Sequence, residues 1–142
     1  MAEIGKIEVD VELVNLLDAM KVIEKTAQAG SERRAKIRGL IDTGATQLSI
    51  PEEVATALGV PVRKETEVRL ADGTLRKFKV VRGIEVTING RSIEAEALVT
   101  PSGTKCLVGQ TVLEGMDWHI DPKGQRLIPN PESPDHPLLD ML

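Results

Sequence analysis

An aspartate stands where a core strand runs out. The apolar run Gly39-Leu40-Ile41 leads straight into Asp42-Thr43-Gly44-Ala45-Thr46. A carboxylate in that position is costly to bury unless it is paired or hydrogen-bonded. Thr43 and the backbone N–H groups of Gly44 and Ala45 are the donors at hand, and glycine lets the turn fold tightly. The rest of the chain must therefore supply a strand that ends on Asp42, a strand that returns, and a scaffold that holds both.

The surrounding residues read mostly as β-structure. Ile7, Val9, Val11 and Leu13 alternate with Glu8, Asp10 and Glu12, the period of a half-buried strand. Ala35–Ile41 is a strand into Asp42, and Gln47–Ile50 is the returning strand. Between the first strand and Ala35, Asn15 to Gly30 fits either a helix or a long hairpin, because its leucines, Met20, Val22 and Ile23 settle on no single period. Gly30-Ser31 is a turn. Pro51–Gly59 predicts a helix: proline opens it, Glu52 and Glu53 complement its positive end, Gly59 closes it, and Val54 and Leu58 share one inward face.

From Glu65 onward the pattern is strands and turns. Val68 and Leu70 lead to a turn over Ala71–Thr74, and Leu75, Phe78 and Val80 lead away from it. Asp72-Gly73 between two such runs is a hairpin signature. Ile84, Val86 and Ile88 alternate up to Asn89-Gly90, a second hairpin turn, and Ile93, Ala95, Ala97 and Val99 return. Pro101-Ser102-Gly103 turns the chain into Leu107-Val108, followed by a short helix over Thr111–Glu114. Trp118–Asp121 and Arg126–Ile128 form a last hairpin over Pro122-Lys123-Gly124, where Asp117 and Asp121 read as turn or strand-end residues. Pro129, Pro131, Pro134 and Pro137 make an extended tail, mobile unless it docks.

Composition narrows the function. The 142 residues suffice for one domain with a real core. Charge is balanced, 18 basic against 22 acidic residues, with no basic block, which argues against nucleic acid and membrane partners. Phe78 and Trp118 are the only aromatic residues, so the core is aliphatic and no base-stacking surface is expected. Cys106 is the only cysteine; it excludes an internal disulfide, sits in an apolar segment as an inert thiol, and permits a reducing compartment. No apolar run reaches the length of a membrane span and the N-terminus lacks a signal-peptide core, so a cytoplasmic location is expected. His119 and His136 are too far apart in sequence to suggest a metal site.

Asp42-Thr43-Gly44-Ala45 after two apolar residues resembles the active-site loop of the retropepsin-like (retroviral-type) aspartic proteases. A second segment, Cys106-Leu107-Val108-Gly109-Gln110 with Thr111-Val112-Leu113-Glu114, is similar to the apolar-apolar-Gly strand and short helix that lie beneath that loop. Val68–Leu75, with Leu70-Ala71-Asp72-Gly73, falls where the family has its flap hairpin. The resemblance runs from about Ile37 to Ile128 and is closest to the cellular and prokaryotic single-domain members. It implies a mostly-β half-barrel with a flap hairpin and one or two short helices, spanning 1–128, and a proline-rich tail over 129–142.

The resemblance also assigns roles. Asp42 is the catalytic carboxylate. Thr43 bonds across to a partner loop, Gly44 permits close approach, and Ala45 completes the loop. Ala71, Asp72 and Gly73 form the flap tip over substrate. Leu107, Val108 and Gly109 support the loop; Leu107 could line a substrate pocket, although core packing is the commoner fate of such a leucine. Peptide hydrolysis by this route needs two carboxylates sharing one proton. The sequence holds one Asp-Thr-Gly, so the implied enzyme is a homodimeric endopeptidase, one Asp42 from each subunit, acting on peptide or unfolded protein without cofactor or metal. The alternative within the same fold is a catalytically weak or silent dimerisation or peptide-binding module. Thr46 and Gln110 stand where retroviral enzymes carry an acidic residue and an arginine that help tie their dimer, and the flap tip holds only one glycine, Gly73.

Overall fold

The computed structural model describes residues 6–135; the tail beyond Asp135, with His136 and Pro137, lies outside the described residues. The elements follow as β1 (Ile7–Asn15), α1 (Leu16–Ile23), β2 (Arg34–Ile41), β3 (Leu48–Pro51), α2 (Glu52–Leu58), β4 (Val62–Arg69), β5 (Leu75–Ile88), β6 (Arg91–Thr100), β7 (Cys106–Val108), α3 (Gln110–Met116), β8 (Trp118–Asp121) and β9 (Arg126–Pro129). Seven strands form one sheet in the order β1-β2-β7-β3-β6-β5-β4, and β8 and β9 form a separate hairpin.

β1 closes the sheet on itself. It pairs antiparallel with β2, Ile7 opposite Ile41 through Val14 opposite Arg34. Its last four residues, Glu12–Asn15, also pair with Thr87–Ile84 of β5. The result is a barrel-like ring with β4 carried on its rim, the mostly-β, half-barrel architecture of a retropepsin-like fold. The alternation in β1 is realised: Ile7, Val9, Val11 and Leu13 are buried, and the acidic residues between them are exposed. They meet Leu48, Ile50, Ile84, Val86, Ile88, Ala97 and Val108 in one aliphatic core.

The two runs on either side of residue 82 are a single strand of 14 residues. Its register on β6 slips between Val81 and Ile84, where Gly83 takes φ +82°. The inserted residue switches the parity of the core face. Val81 before the slip and Ile84, Val86 and Ile88 after it all reach the core. The Asn89-Gly90 turn then has φ +48° and +84°, the left-handed pair that a two-residue hairpin favours.

Asn15, at the end of β1, ties together the start of α1 and the end of α2. α2 starts after Pro51, carries Glu52 and Glu53 in its first turn, and ends on left-handed Gly59. Leu58 is its fully buried residue. α1 buries none of its residues; it is held through Asn15, whose Oδ1 accepts from the Asp18 N–H (3.0 Å) while its Nδ2 donates to the Leu58 carbonyl (2.8 Å). Arg33 completes the clip, donating to the Asp18 carboxylate from Nε (2.8 Å), Nη2 (3.0 Å) and its backbone N–H (3.0 Å).

At the other end of the barrel Arg91 is 6 % exposed. Its Nη1 donates to the carbonyls of Met116 (3.2 Å) and Asp117 (2.8 Å), and its Nη2 to that of Ser133 (2.6 Å). The guanidinium lies 4.6 Å from the centre of the Trp118 ring, a favourable cation–π distance. Asp117, left-handed at the end of α3, accepts from Asn130 Nδ2 (2.9 Å) and from the Ser133 hydroxyl. The chain just past Pro129 is therefore docked as far as Ser133.

The Asp18 clip has a pH signature. Arg33's side-chain hydrogen bonds, and then its backbone N–H, hold the Asp18 carboxyl at about 2, below its ordinary value of 3.8. A lowered folded-state value means the contribution is fully present above the unfolded value and fades as pH falls toward the folded one. Asp18→Asn should melt below wild type at pH 7, and the gap between the two melting temperatures should close between about pH 4 and pH 2. Thermal melts of both proteins across that range check it; a gap that stays constant with pH would show that the carboxylate charge is not what the clip uses.

Candidate active site

β7 is the hinge of the site. It runs parallel to β2, with Gly39, Leu40 and Ile41 opposite Cys106, Leu107 and Val108, and antiparallel to β3, with Ser49 opposite Leu107. The loop from β2 to β3 must therefore cross the end of the strand inserted between them. Asp42 opens that loop, and its N–H continues the β2–β7 ladder to the Val108 carbonyl at 3.0 Å.

The crossing is close. Gly109 has φ −85° and ψ 178°, a conformation open to any residue, so its reason is space. A Cβ there would meet the Gln47 carbonyl oxygen, and would lie 2.7 Å from the Gln47 nitrogen and from the Thr46 carbonyl carbon. Past Gly109 the first turn of α3 presents N–H groups that have no partner within the helix. The Gln110 N–H donates to the Ala45 carbonyl (2.9 Å), and the Thr111 N–H donates to the Thr46 carbonyl (3.0 Å). The Thr111 hydroxyl adds a second bond to Thr46 at 2.7 Å. At positions 46 and 110 the tie is thus made by backbone.

The loop holds Asp42 with its own backbone. The Gly44 N–H donates to Asp42 Oδ1 at 2.9 Å, and the Ala45 N–H donates to the Asp42 carbonyl at 3.1 Å. Oδ2 has no hydrogen-bond partner among the described residues. Asp42 is half-buried, and Thr43 and Gly44 are exposed. Of the expected residues, the structure brings Asp42, Thr43, Gly44 and Ala45 onto Leu107, Val108 and Gly109. Leu107 is half-buried, on the face opposite its neighbours Cys106 and Val108, which are core residues. Burial pushes the Cys106 thiol up to about 12, which keeps it unreactive.

The hairpin tip forms as expected between β4 and β5. The Leu70 N–H donates to the Thr74 carbonyl (2.8 Å), and Gly73, at φ +86°, donates to the Leu70 carbonyl (2.9 Å). Asp72 Oδ1 takes the Thr74 hydroxyl (2.6 Å) and N–H (2.9 Å). Those two bonds hold its carboxyl below the usual range, so it builds the turn as an anion. Ala71, Asp72 and Gly73 are exposed. A groove of about 730 Å³ lies between α2 and this hairpin, lined by Ala55, Val60, Val62, Phe78 and Val99 among others; Asp42 does not line it. His119 is exposed, and Asp121 accepts from Lys123 and Arg126 within its own turn.

Two ties of α3, Thr111 to the loop and Arg91 to the helix end, carried no signal in the sequence. The Thr111 side chain was legible only as part of a helix start. Arg91 follows a hairpin turn, where a charged residue ordinarily faces solvent. A family model described as "gag-polyprotein putative aspartyl protease" matches residues 31–115, a span that includes the Asp42 loop, the β4–β5 hairpin, β7 and most of α3. No curated protein matches the chain.

The tight crossing sets a test. Gly109→Ala should destabilise the fold by about 1–3 kcal/mol, the usual range for overpacking, because backbone and not a flexible side chain must give way. Urea denaturation measures the loss, and amide exchange should show Gln110 and Thr111 losing protection more than the β5–β6 strands. An unchanged midpoint would mean that the loop does not depend on close approach at Gly109.

Proposed function

The chain belongs to the retropepsin-like aspartyl protease family, and on that premise we propose that it is one half of a homodimeric endopeptidase whose catalytic pair is Asp42 from each of two subunits. The observation that carries this reading is the state of the Asp42 carboxylate: one oxygen is fixed by the Gly44 N–H and the other is left without a described partner. A half-buried carboxylate held this way is oriented for a second group. The chemistry requires that group to be another carboxyl, because like charges at short range keep one proton between them. A symmetric dimer supplies it with no further residue.

The ionised member of the pair takes a proton from a water molecule, which attacks the scissile carbonyl. The protonated member stabilises the developing oxyanion and passes a proton to the leaving amine. Gly44 leaves room for the substrate backbone, and the exposed Thr43 is available to bond across to the other loop. The Ala71-Asp72-Gly73 tip closes over the extended peptide and excludes water. Leu107, turned away from the core beside Asp42, contacts a substrate side chain.

Asp42→Asn keeps the shape of the loop and can still accept from Gly44, so fold and dimer should persist. Cleavage of an unfolded protein should fall by about 100-fold or more, since no general base remains. Wild type should show a bell-shaped pH–rate profile whose two limbs belong to the pair. Asp72→Asn should keep most of the activity, because asparagine serves the same turn. Sedimentation equilibrium and cleavage assays on the three proteins from acidic to neutral pH decide the matter. A strict monomer, or undiminished cleavage by Asp42→Asn, would sink the mechanism; a dimer in which no protein cleaves would leave the silent binding module.

A further inference from the structure

Charge is unevenly shared along the chain. Residues 62–82, which make β4, the hairpin tip and the first half of β5, hold seven basic side chains against three acidic ones, whereas the rest of the chain holds 11 against 19. A cationic hairpin thus stands on an anionic body. Within the hairpin Glu65 lies opposite Lys79, Glu67 opposite Lys77 and Arg69 opposite Leu75. Both lysines are exposed, and neither closes to an ion pair with a described residue.

The strand registers give the hairpin two sides. Val80 lies opposite Leu98, Leu98 and Leu107 flank Ser49, and Leu107 lies opposite Leu40. Asp42 follows Leu40 by two residues, the strand spacing that returns a side chain to the same face. That row, with Ser49 buried in its middle, belongs to the Asp42 side. Lys79 and its partner Val99 belong to the other side, where Val99 packs on the core. The 730 Å³ groove between α2 and the hairpin opens there. Val60, Val62 and Val99 give it an apolar lining, and three cations, Arg76, Lys77 and Lys79, line it against two carboxylates, Glu52 and Glu65. Val62 is 55 % exposed at one end of this strip and Leu75 is 54 % exposed at the other. Uncovered apolar surface therefore brackets the two lysines.

We infer that this groove docks an acidic stretch of the polypeptide substrate, extended and remote from the bond to be cleaved, with an aliphatic side chain seated on Val60, Val62 and Val99 and carboxylates beside Lys77 and Lys79. The anionic body repels such a stretch everywhere but at the hairpin, and a field focused in this way raises the rate of productive encounter. A nucleic acid would satisfy the cations but leave the valines open to water. β4 is the last strand of the sheet, so a chain leaving the Asp42 side passes around it to reach the groove. Two contacts made by one chain raise its effective concentration at each.

The inference rests on the peptidase reading for the source of the stretch, and its test lets either fail alone. Fluorescence anisotropy follows a labelled decapeptide, two leucines followed by four acidic residues in a glycine-serine background, on the Asp42→Asn protein, which does not consume it. Changing the acidic residues to their amides should weaken binding by about tenfold, the upper end for two exposed ion pairs. Lys77→Gln combined with Lys79→Gln should weaken the original peptide as much, and changing its leucines to serine should weaken it too. Both lysines are exposed, so the double variant should melt with its parent. Appended to an unfolded substrate of the wild type, the acidic stretch should lower KM relative to its amide counterpart. Equal binding of acidic and amide peptides would overturn the inference, as would binding unmoved by the double variant or by loss of the leucines. A single-stranded oligonucleotide that binds as tightly, and weakens in the double variant, would assign the surface to nucleic acid and overturn it as well. Peptide binding as expected without cleavage of any substrate would uphold the groove and sink the peptidase reading, and cleavage without such binding would do the reverse. A chain that neither cleaves nor binds would overturn both.

Discussion

The position of Asp42 depends on one backbone crossing. β7 is threaded between β2 and β3, so the loop that joins those two strands has to pass over its end at Gly109. The groups that meet there are the ones that secondary structure leaves unsatisfied. The carbonyls of Ala45 and Thr46 have left the sheet, and the N–H groups of Gln110 and Thr111 have no partner inside α3. Each set satisfies the other. A tie made this way rests on backbone groups, with Gly109 leaving the space and the Thr111 hydroxyl adding its bond to Thr46. At Thr46 and Gln110 it is the backbone that makes the tie within the chain.

A second constraint is the division of the sheet into two working faces. One face fills the barrel; the other carries Leu40, Leu107, Ser49, Leu98 and Val80 beside the Asp42 loop. β5 serves both ends of this plan by slipping register between Val81 and Ile84. Without the slip, the residues that fill the core in the barrel half would face outward in the hairpin half, because a one-residue shift inverts every side chain. The slip lets Val81 and Ile84 both reach the core while Val80 joins the second face.

Burial patterns carried most of the fold into the sequence, and contacts carried almost none of the rest. β1 was legible because one face is buried and the other wet. α2 was legible because Pro51, Glu52, Glu53 and Gly59 act locally. The Asp42 loop was legible because its apolar lead and Thr-Gly turn recur with β7 downstream. α1 was not: it buries no side chain and leaves Leu17, Met20 and Ile23 exposed, so no period could form, and although Asn15 caps it locally through the Asp18 N–H, its anchor is the Asn15 amide on the Leu58 carbonyl, 43 residues away. The continuity of β5 was hidden because a bulge breaks the alternation by which a strand is recognised. Ser49 was hidden because strict alternation between Leu48 and Ile50 reads as a wet position.

Arg91 shows how far the loop's support extends. α3 is fixed at its N-terminus by the carbonyls of the Asp42 loop and at its C-terminus by the Arg91 guanidinium on Met116 and Asp117. A cation is well placed there, at the negative end of the helix, and its third bond, to Ser133, draws the following chain onto the same spot. Removing it would take the buried bonds from the carbonyls of Met116 and Ser133, each such loss costing about 1–3 kcal/mol, whereas the Asp117 carbonyl keeps the Asn130 N–H. The helix between the two ends has seven residues, a rigid rod of roughly 10 Å. Asp42 is thereby coupled to the β5–β6 turn through a helix that cannot tilt at one end without pulling on the loop carbonyls at the other. The aspartate's geometry is a property of that whole circuit, of which the Asp-Thr-Gly turn is only the visible end.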